Sequence, residues 1–140
     1  MLQDKVVVIT GGVGFLGKEF SKSVLKVGGI VIIADINEES AKSFMLEINE
    51  LYPNSSMLFH YLDVTSKNSI DTLIKNVSKQ FGKIDAWVNN AYPKIKSMNS
   101  ETKREYSNSF FDANYEDFCE SVSINLGSIF LCSQRISSFF

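Results

Sequence analysis

The sequence is poor in the residues that form metal centres and disulfide frameworks. Its 140 residues include two cysteines and one histidine. Cys119 and Cys132 are 13 positions apart on one predicted helix, which separates them by roughly 20 Å along its axis, too far for a disulfide. His60 falls inside a predicted strand, so we interpret it as a strand residue rather than a catalytic base. The composition therefore predicts no metal site and two reduced thiols, typical of a reducing compartment.

Long apolar runs and an excess of charge of one sign are also missing. No stretch approaches the ~18 apolar residues of a membrane span. The apolar run from Val6 to Ile9 is too short for a signal peptide. A formal net charge of -2 argues against a general nucleic-acid binder. The sequence thus predicts a cytoplasmic protein that binds neither membranes nor nucleic acid.

What the chain does contain is a regular alternation of short apolar runs and longer amphipathic segments. The apolar runs are rich in β-branched residues, which is typical of strands buried on both faces. They predict strands over residues 5–10, 30–34, 57–62 and 84–89. Because the segments between these runs show helical spacing, the pattern predicts parallel strands joined by right-handed helical crossovers.

The predicted helices have recognisable starts and faces. Candidate N-caps are Asn37, Ser66 (or Thr65) and Asn114. In the first helix an apolar stripe is expected to face the core, formed by Leu16, Phe20, Val24 and Val27. Residues 92–113 are polar and show no clear period. Loops of this length are often functional, although a solvated surface excursion explains the pattern equally well.

The strongest functional signal is a glycine-rich segment, Thr10 to Gly17, between the first strand and the first helix. Its glycines allow a sharp turn and a close approach of backbone amides to a pyrophosphate, and the helix N-terminus that follows favours an anion. Asp35 ends the second strand, where a carboxylate can accept hydrogen bonds from a ribose diol. The pattern predicts a dinucleotide site formed by Gly11, Gly14, Phe15, Leu16, Gly17 and Asp35.

Polar residues also follow the third and fourth predicted strands. Asp63, which precedes Val64, can accept a hydrogen bond from an adenine amino group, or it can form the turn into the next helix. Asn89, Asn90 and Ala91 can tie neighbouring strand-end loops together, or they can form an asparagine-rich turn. Both alternatives stay open for each segment.

The last helix places one polar residue within an apolar stripe. The stripe recurs at spacings of four and three residues: Phe118, Val122, Asn125, Ile129, Cys132 and Ile136. A buried amide needs hydrogen-bond partners. Asn125 therefore either braces the core or holds a group near a site.

Together these segments resemble the short-chain dehydrogenase/reductase family. The matching segments are the glycine-rich turn, Asp63-Val64, Asn89-Asn90-Ala91, and Asn125 with the five residues after it. The resemblance implies an α/β fold, namely a Rossmann-type parallel sheet with helices on both faces and strand order 3-2-1-4, in a chain that ends after a fifth helix. It also implies NAD as the cofactor and Asn125 as a catalytic residue.

The chain departs from the family pattern in three respects. Gly14 lies one place earlier than in the common turn, which has glycine at the position of Phe15, and Tyr92 replaces the glycine that follows Asn-Asn-Ala. The family's catalytic Ser and Tyr-x-x-x-Lys follow the helix that comes last here. Tyr92 and Lys96 match the Tyr-x-x-x-Lys spacing, but Pro93 prevents a regular helix between them. We therefore expect residues 1–140 to be a single NAD-binding domain, an incomplete dehydrogenase without turnover of its own.

The resemblance also implies a reaction and a substrate class. The family transfers hydride between nicotinamide and an alcohol or ketone. A narrower resemblance, to bacterial oxidoreductases of flagellin modification and nonulosonic-acid synthesis, implies a sugar or sugar nucleotide. An acidic sugar could meet the basic residues of the polar loop, which are Lys94, Lys96, Lys103 and Arg104.

The partner implied by the resemblance is a second copy of the chain. Family members commonly pair the last helix across a two-fold axis, so we expect a homo-oligomer, a dimer or a tetramer. The pairing face of that helix would carry Cys119, Leu126, Phe130 and Ser133. The alternative functions are a non-catalytic nucleotide-binding fragment and an interaction module that uses the same helix.

Overall fold

The computed structural model describes residues 1–93 and 114–140, in which four strands and four helices alternate. The strands are β1 (Val6–Thr10), β2 (Ile30–Asp35), β3 (Ser56–Tyr61) and β4 (Ala86–Val88). The helices are α1 (Phe15–Lys26), α2 (Glu38–Leu51), α3 (Lys67–Phe81) and α4 (Tyr115–Ser137). Each connection from β1 to β4 holds one helix, so α4 is the fourth helix of the described residues, where the sequence predicts a fifth.

The strands form one parallel sheet in the order β3-β2-β1-β4, as predicted. Val6 pairs with Ile30 and Thr10 with Ala34, so β1 and β2 end side by side. All four strands run in the same direction, and their carboxyl ends therefore meet at one edge of the sheet. The polar residues that follow each strand are brought together at this edge.

Apolar side chains cover both faces of the sheet. Alternate residues of a strand point to opposite faces, and here each face has its own core. One core joins the sheet to α1 and α2: Val7, Ile9, Leu25, Val31, Ile33, Phe44 and Ile48. The other joins it to α3 and α4 through residues that include Val6, Val8, Ile32, Ile70, Leu73, Cys132 and Ile136. This two-sided burial explains why the strands are almost continuously apolar.

Three of the four helices begin at a side-chain cap. Asn37, Ser66 and Asn114 each accept a hydrogen bond from the backbone N–H three residues further on. Acidic residues in the first turns of α2 and α4 add favourable charge at those helix N-termini. The sequence predicts all three caps, with Ser66 rather than Thr65 at the start of α3.

The predicted buried face of α1 is wrong at Leu16 and Phe20, whereas Val24 packs against the core as predicted. Leu16 and Phe20 are 56% and 41% exposed, whereas Gly17, Ser21 and Leu25 are buried. The cause is the close contact of α1 with the glycine-rich turn, because only Gly17 can face that turn. Ser21, one turn further along this face, donates its hydroxyl to the Gly17 carbonyl oxygen at 2.8 Å and so tolerates burial.

The apolar stripe predicted for α4 is buried only in its C-terminal half. Cys132 and Ile136 lie in the core, whereas Phe118 is 61% exposed and Val122 and Ile129 are exposed as well. With 23 residues α4 is about 34 Å long. The strands have three to six residues and span at most about 20 Å. The N-terminal half of the helix therefore extends past the sheet.

Strand β4 is shorter than the predicted run of residues 84–89. Asp85, just before it, accepts a hydrogen bond from the backbone N–H of Val6 at 2.8 Å. Asn90, just after it, bonds to Thr10. Side chains thus add hydrogen bonds between β1 and the residues that flank β4, and at Asp85 the backbone N–H also donates to the Val6 carbonyl oxygen at 2.9 Å. Across residues 1–93 and 114–140, no helix combines the length and apolar character that a membrane crossing requires.

Candidate functional site

A glycine-rich turn joins the carboxyl end of β1 to α1. Gly11 has φ of +62°, and a Cβ atom at this position would lie 2.8 Å from the Cα atom of Ala91. A Cβ atom on Gly17 would collide with the carbonyl oxygen of Gly11. Both positions therefore exclude a side chain, which lets the turn pass between the end of β4 and the start of α1.

The first turn of α1 is open at the same edge of the sheet. Gly14 is the N-cap and has no side chain with which to accept a hydrogen bond, and the first turn contains no acidic residue. Phe15 projects into solvent with 86% of its surface exposed, and Leu16 is exposed too. The N–H groups of the first turn therefore remain available to an anion, the arrangement that holds phosphate at helix N-termini.

Asp35 lies beside this turn at the end of β2. Its Oδ2 atom accepts a hydrogen bond from the backbone N–H of Val13 at 3.2 Å, and its Oδ1 atom accepts one from Asn37 at 3.0 Å. These two bonds fix the orientation of the carboxylate. A carboxylate has about four acceptor positions, so Asp35 keeps lone pairs for an external donor such as a ribose hydroxyl.

A cluster of hydrogen bonds holds the end of β4 against the turn. The Thr10 hydroxyl donates to the Val88 carbonyl oxygen at 3.1 Å and accepts from the backbone N–H groups of Asn90 and Ala91 at 2.9 and 3.0 Å. The Asn90 side chain donates to the carbonyl oxygens of Thr10 and Gly11 at 3.0 and 3.1 Å. Asn90 therefore ties two strand ends together, the first of the two interpretations left open by the sequence.

Thr10 is the residue of this hydrogen-bond cluster that the sequence does not single out as a site residue. It is buried, and its hydroxyl makes three hydrogen bonds. A signal for it exists in the sequence. Thr10 is the one polar residue in the run Val6 to Thr10, directly before the first glycine of the turn. A hydroxyl at the end of a buried strand needs partners there.

Asp63 forms the turn that leads into α3. Its Oδ1 atom accepts from the backbone N–H and the hydroxyl of Thr65 at 2.9 and 2.6 Å, and its own N–H donates to the Ser69 hydroxyl at 3.0 Å. The adjacent Val64 is buried in the α3–α4 core, so only its backbone faces outward. The structure thus supports the turn interpretation, and contact with adenine stays a prediction.

Asn89 connects β4 to α4. Its side-chain oxygen accepts from the Trp87 indole N–H, and its side-chain nitrogen donates to the Ser133 hydroxyl, each at 3.0 Å. Ser133 therefore faces the sheet, and its assignment to the outward face of α4 is wrong. Asn89 itself is exposed and serves as a link between two elements.

Asn125 is attached to the segment that follows β4. Its Nδ2 atom donates to the Ser121 carbonyl oxygen at 2.9 Å, and it lies 3.4 Å both from the Pro93 carbonyl oxygen and from the Ser121 hydroxyl. Its Oδ1 atom is buried and has no hydrogen-bond partner among the described residues. Asn125 thus braces α4 against the strand end and also retains one uncommitted acceptor.

His60 and Cys132, two further titratable residues of the described ranges, both have pKa values shifted by burial. His60 is half-buried in β3, and burial lowers its pKa below the usual value. Burial raises the pKa of Cys132 to about 11, so its thiol stays protonated at neutral pH. No group of three His, Cys, Asp or Glu side chains in residues 1–93 and 114–140 converges on a point where it could hold a metal ion. The basic loop residues Lys94, Lys96, Lys103 and Arg104 lie outside the described residues.

Comparison with known sequences shows which family the chain belongs to. The family model described as short chain dehydrogenase matches residues 5–140. The chain belongs to the short-chain dehydrogenase family. The glycine spacing of the turn and the tyrosine at position 92 are therefore variations within that family, whose members are oxidoreductases.

Individual short-chain dehydrogenase relatives match over almost the whole chain. A post-translational flagellin modification protein A of Campylobacter coli is 34% identical over 140 residues, which is 100% of this chain and 52% of that protein. A 3alpha-hydroxysteroid dehydrogenase of Mediterraneibacter gnavus is 28% identical over 134 residues, 96% of this chain and 49% of that protein. The crystal structure of a levodione reductase superposes with a TM-score of 0.80 at 25% identity, covering 99% of this chain and 50% of that chain. The chain spans about half the length of the relatives it matches.

The residues at the carboxyl edge fit the nicotinamide dinucleotides that this family uses. The turn at Gly11 and Gly17 leaves a cradle that any Cβ atom would fill. The uncapped first turn of α1 can receive a pyrophosphate, and the fixed carboxylate of Asp35 can receive a ribose. Asp35 is bonded to Val13 of the turn and Asn90 to Gly11 of the turn, so the end of β2 and the end of β4 both contact the same turn.

Proposed function

We propose that residues 1–140 form the NAD-binding part of a short-chain dehydrogenase. The observation that carries this proposal is the placement of Asp35. Its carboxylate is bonded to Val13 inside the glycine-rich turn, so the ribose acceptor and the pyrophosphate cradle belong to one rigid unit. A surface aspartate without a binding role would have no need of this link.

Each predicted site residue has a distinct task in this proposal. The glycine turn, with the N–H groups of Phe15, Leu16 and Gly17, binds the pyrophosphate, and Asp35 binds the adenosine ribose. Asp63 and the backbone of Val64 border the adenine. Asn89, Asn90 and Ala91 shape the strand end, and Asn125 acts beside the reacting groups. When bound, NAD supplies the carbon that accepts or donates hydride.

Asp35 also predicts a preference for NAD over NADP. An ionised carboxylate repels a 2′-phosphate. The repulsion energy of two like charges about 4 Å apart is roughly 1 kcal/mol even at the dielectric constant of water. The two residues after Asp35 are Ile36 and Asn37, neither of which is basic. We expect at least about tenfold tighter binding of NADH than of NADPH, since several kcal/mol apply at a partly shielded site.

Calorimetric titration of the chain with NADH and NADPH tests the proposal. Asp35→Asn keeps the size of the side chain and removes its charge, so the preference for NADH should fall towards unity. Asp4→Asn is the matched control because Asp4 is exposed just before β1, at the opposite end of the sheet. Equal affinities in the unaltered chain, or an unchanged ratio in Asp35→Asn, would contradict the role of Asp35. Failure to bind either cofactor would contradict the nucleotide-binding function as a whole.

The substrate class in this proposal is an alcohol or ketone carried by a sugar or sugar nucleotide. Support comes from the Campylobacter coli relative, which is named for flagellin modification. The relative named as a hydroxysteroid dehydrogenase points to the same reaction at a different substrate. Modification of a surface glycan or of flagellin is thus the proposed process, and it would take place in the cytoplasm, where nicotinamide cofactors are abundant.

We further propose that residues 1–140 bind cofactor without catalysing turnover. Proton transfer needs a titratable group within about 3 Å of the reacting oxygen, and the amide of Asn125 does not titrate. Purified chain, NAD and a panel of sugar alcohols should give no absorbance change at 340 nm above that of a Gly14→Asp variant, whose turn cannot accept the pyrophosphate. Turnover above this control would show that the chain is a complete enzyme.

The proposed partner is a second copy of the chain, bound through the exposed side of α4. Leu126 and Phe130 are each 65% exposed there. Replacing Phe130 with Glu should shift the sedimentation coefficient towards that of a monomer, because a buried charge without a partner opposes association. Phe140→Glu, which alters an exposed phenylalanine beyond the end of α4, is the control and should leave sedimentation unchanged. Equal effects of both variants would contradict an interface on α4.

A further inference from the structure

The residue that replaces the family's glycine after Asn-Asn-Ala reaches across to α4. The hydroxyl of Tyr92 lies 3.2 Å from the Ser121 hydroxyl. Ser121 is one helical turn before Asn125, and its hydroxyl lies 3.4 Å from Asn125 Nδ2. A glycine at position 92 has no side chain that could make this contact. The substitution therefore adds a hydrogen-bonded chain from Tyr92 through Ser121 to Asn125.

The three groups form one hydrogen-bonded chain. An amide nitrogen only donates, so Ser121 Oγ accepts from Asn125. A hydroxyl has one hydrogen to donate and two lone pairs to accept, so either Ser121 or Tyr92 can be the donor in the bond between them. The chain links the interior to the surface, where Tyr92 is 74% exposed.

The same geometry leaves the Asn125 carboxamide one orientation. The carbonyl oxygens of Ser121 and Pro93 face its Nδ2 atom. A flipped amide would bring Oδ1 against these two acceptors, which would repel it, and would leave both carbonyl oxygens without their donor on Asn125. Oδ1 is therefore kept on the opposite side, where it is buried and has no partner among the described residues.

We propose that Tyr92 and Ser121 are positioning residues for Asn125. They hold its carboxamide with Nδ2 towards the strand end and keep Oδ1 as an uncommitted acceptor. The assignment rests on the proposed function for its catalytic meaning, because it is Asn125 that acts at the reacting groups.

Nuclear magnetic resonance of the ¹⁵N-labelled 140-residue chain tests this proposal through the Asn125 side-chain amide. The Asn125→Asp variant identifies its two NH₂ signals by removing them. In Tyr92→Phe and in Ser121→Ala, exchange of these hydrogens with water should become about 2- to 10-fold faster, the range expected for the loss of one hydrogen bond. Ser121→Thr keeps the hydroxyl and should restore slow exchange.

Matched variants separate positioning from a general loosening of α4. Tyr115→Phe and Ser123→Ala change an exposed tyrosine and an exposed serine of the same helix, and they should leave the Asn125 signals unchanged. The double variant Tyr92→Phe/Ser121→Ala should exchange no faster than Ser121→Ala, because both changes break one chain. Multiplied effects in the double variant, or equal effects in the controls, would overturn the proposal.

A parallel NADH titration distinguishes this inference from the proposed function. Tyr92→Phe should bind NADH as tightly as the unaltered chain, since the turn and Asp35 are untouched. If the unaltered chain fails to bind NADH while the Asn125 signals respond as expected, the positioning role stands and the cofactor role fails. If NADH binds and the Asn125 signals do not respond to Tyr92→Phe, the positioning role fails alone.

Discussion

The two ends of the sheet are held by different forces. At the carboxyl end, neutral hydrogen bonds from Thr10 and Asn90 join β1 to the end of β4. At the amino end, the carboxylate of Asp85 joins the same two strands through charge: it lies 2.9 Å from Lys5 Nζ, 3.1 Å from Lys83 Nζ and 2.8 Å from the Val6 nitrogen. Neither Asp35 nor Asp63 forms an ion pair with a described residue.

The difference shows how a binding edge can be rigid and still receptive. Ion pairs at the carboxyl end would neutralise Asp35 or compete with a phosphate. Neutral bonds made by Thr10 and Asn90 fix the backbone without using the N–H groups of α1 or the charge of Asp35. The amino end has no such constraint, so an ion-paired cluster can align the strands there.

The largest expected effect comes from filling the glycine cradle. Gly17→Ala should lower the free energy of unfolding by about 1–3 kcal/mol, the usual range for overpacking, because the new Cβ meets the backbone of Gly11. NADH binding should be lost as well. Gly127→Ala is the matched control: Gly127 is also helical but has open space around it, and alanine there should stabilise by up to about 1 kcal/mol.

Urea unfolding monitored by circular dichroism measures both glycine variants. The free energy of unfolding should fall in Gly17→Ala and rise in Gly127→Ala. A stability loss of equal size in Gly127→Ala would show that helix α1 does not depend on close contact with the turn.

The next effect in size concerns the neutral bonds of the carboxyl end. Asn90→Ala removes the side-chain donor of the Thr10 carbonyl oxygen and one of the two donors of the Gly11 carbonyl oxygen, which keeps its bond from the Gly14 N–H. The loss should cost about 1–3 kcal/mol of unfolding free energy. Asn89→Ala removes bonds that water can replace at an exposed site, so its cost should stay within ~0.5 kcal/mol. Thermal unfolding of the two variants makes the comparison, and equal losses would remove Asn90 from its bridging role.

The smallest effect is expected at the amino end, and it depends on pH. The hydrogen bond from the Val6 N–H, followed by the contacts with Lys5 and Lys83, lowers the pKa of Asp85 well below its usual value. A lowered folded-state pKa stabilises the protein above the unfolded-state pKa of about 3.9, and this stabilisation is lost as the pH falls through the folded-state value. The unaltered chain should therefore melt above Asp85→Asn at neutral pH.

The melting difference between these two chains should shrink as the pH drops below about 4, where Asp85 begins to protonate in the unfolded chain. Asp4→Asn, with an exposed side chain before β1, serves as the control, and a pH dependence of the same size in this variant would show that the effect is not specific to Asp85. A difference for Asp85→Asn that does not vary with pH would mean that its shape matters and its charge does not.

Much of the fold follows from patterns that local chemistry determines. Strand runs, caps at Asn37 and Asn114, and strand order were all predictable, because buried parallel strands and capped helices each need characteristic residues. The positions of the glycine turn and of Asp35 at the ends of their strands were predictable for the same reason.

The failures came where tertiary contact overrides local pattern. Helical periodicity favours Leu16 and Phe20 as the buried face of α1. In the structure α1 lies so close to the glycine-rich turn that only Gly17 fits against it, and Leu16 and Phe20 are exposed. Periodicity carries no information about such a close contact. The stripe on α4 has correct spacing, yet spacing says nothing about where the sheet ends. Local patterns do not identify Thr10 and Tyr92 as site residues, because their partners, Asn90 and Ser121, are distant in sequence.

The unequal burial of the two thiols makes the chain easy to label at one position. Cys119 is exposed near the start of α4, whereas Cys132 is buried with its pKa raised to about 11. The raised pKa keeps Cys132 protonated at pH 7, and the thiolate is the form that reacts with electrophiles. A maleimide dye added to the native chain would therefore attach to Cys119. The N-terminal half of α4 thus contains a site for a fluorescent label, in the same helix as Ser121 and Asn125.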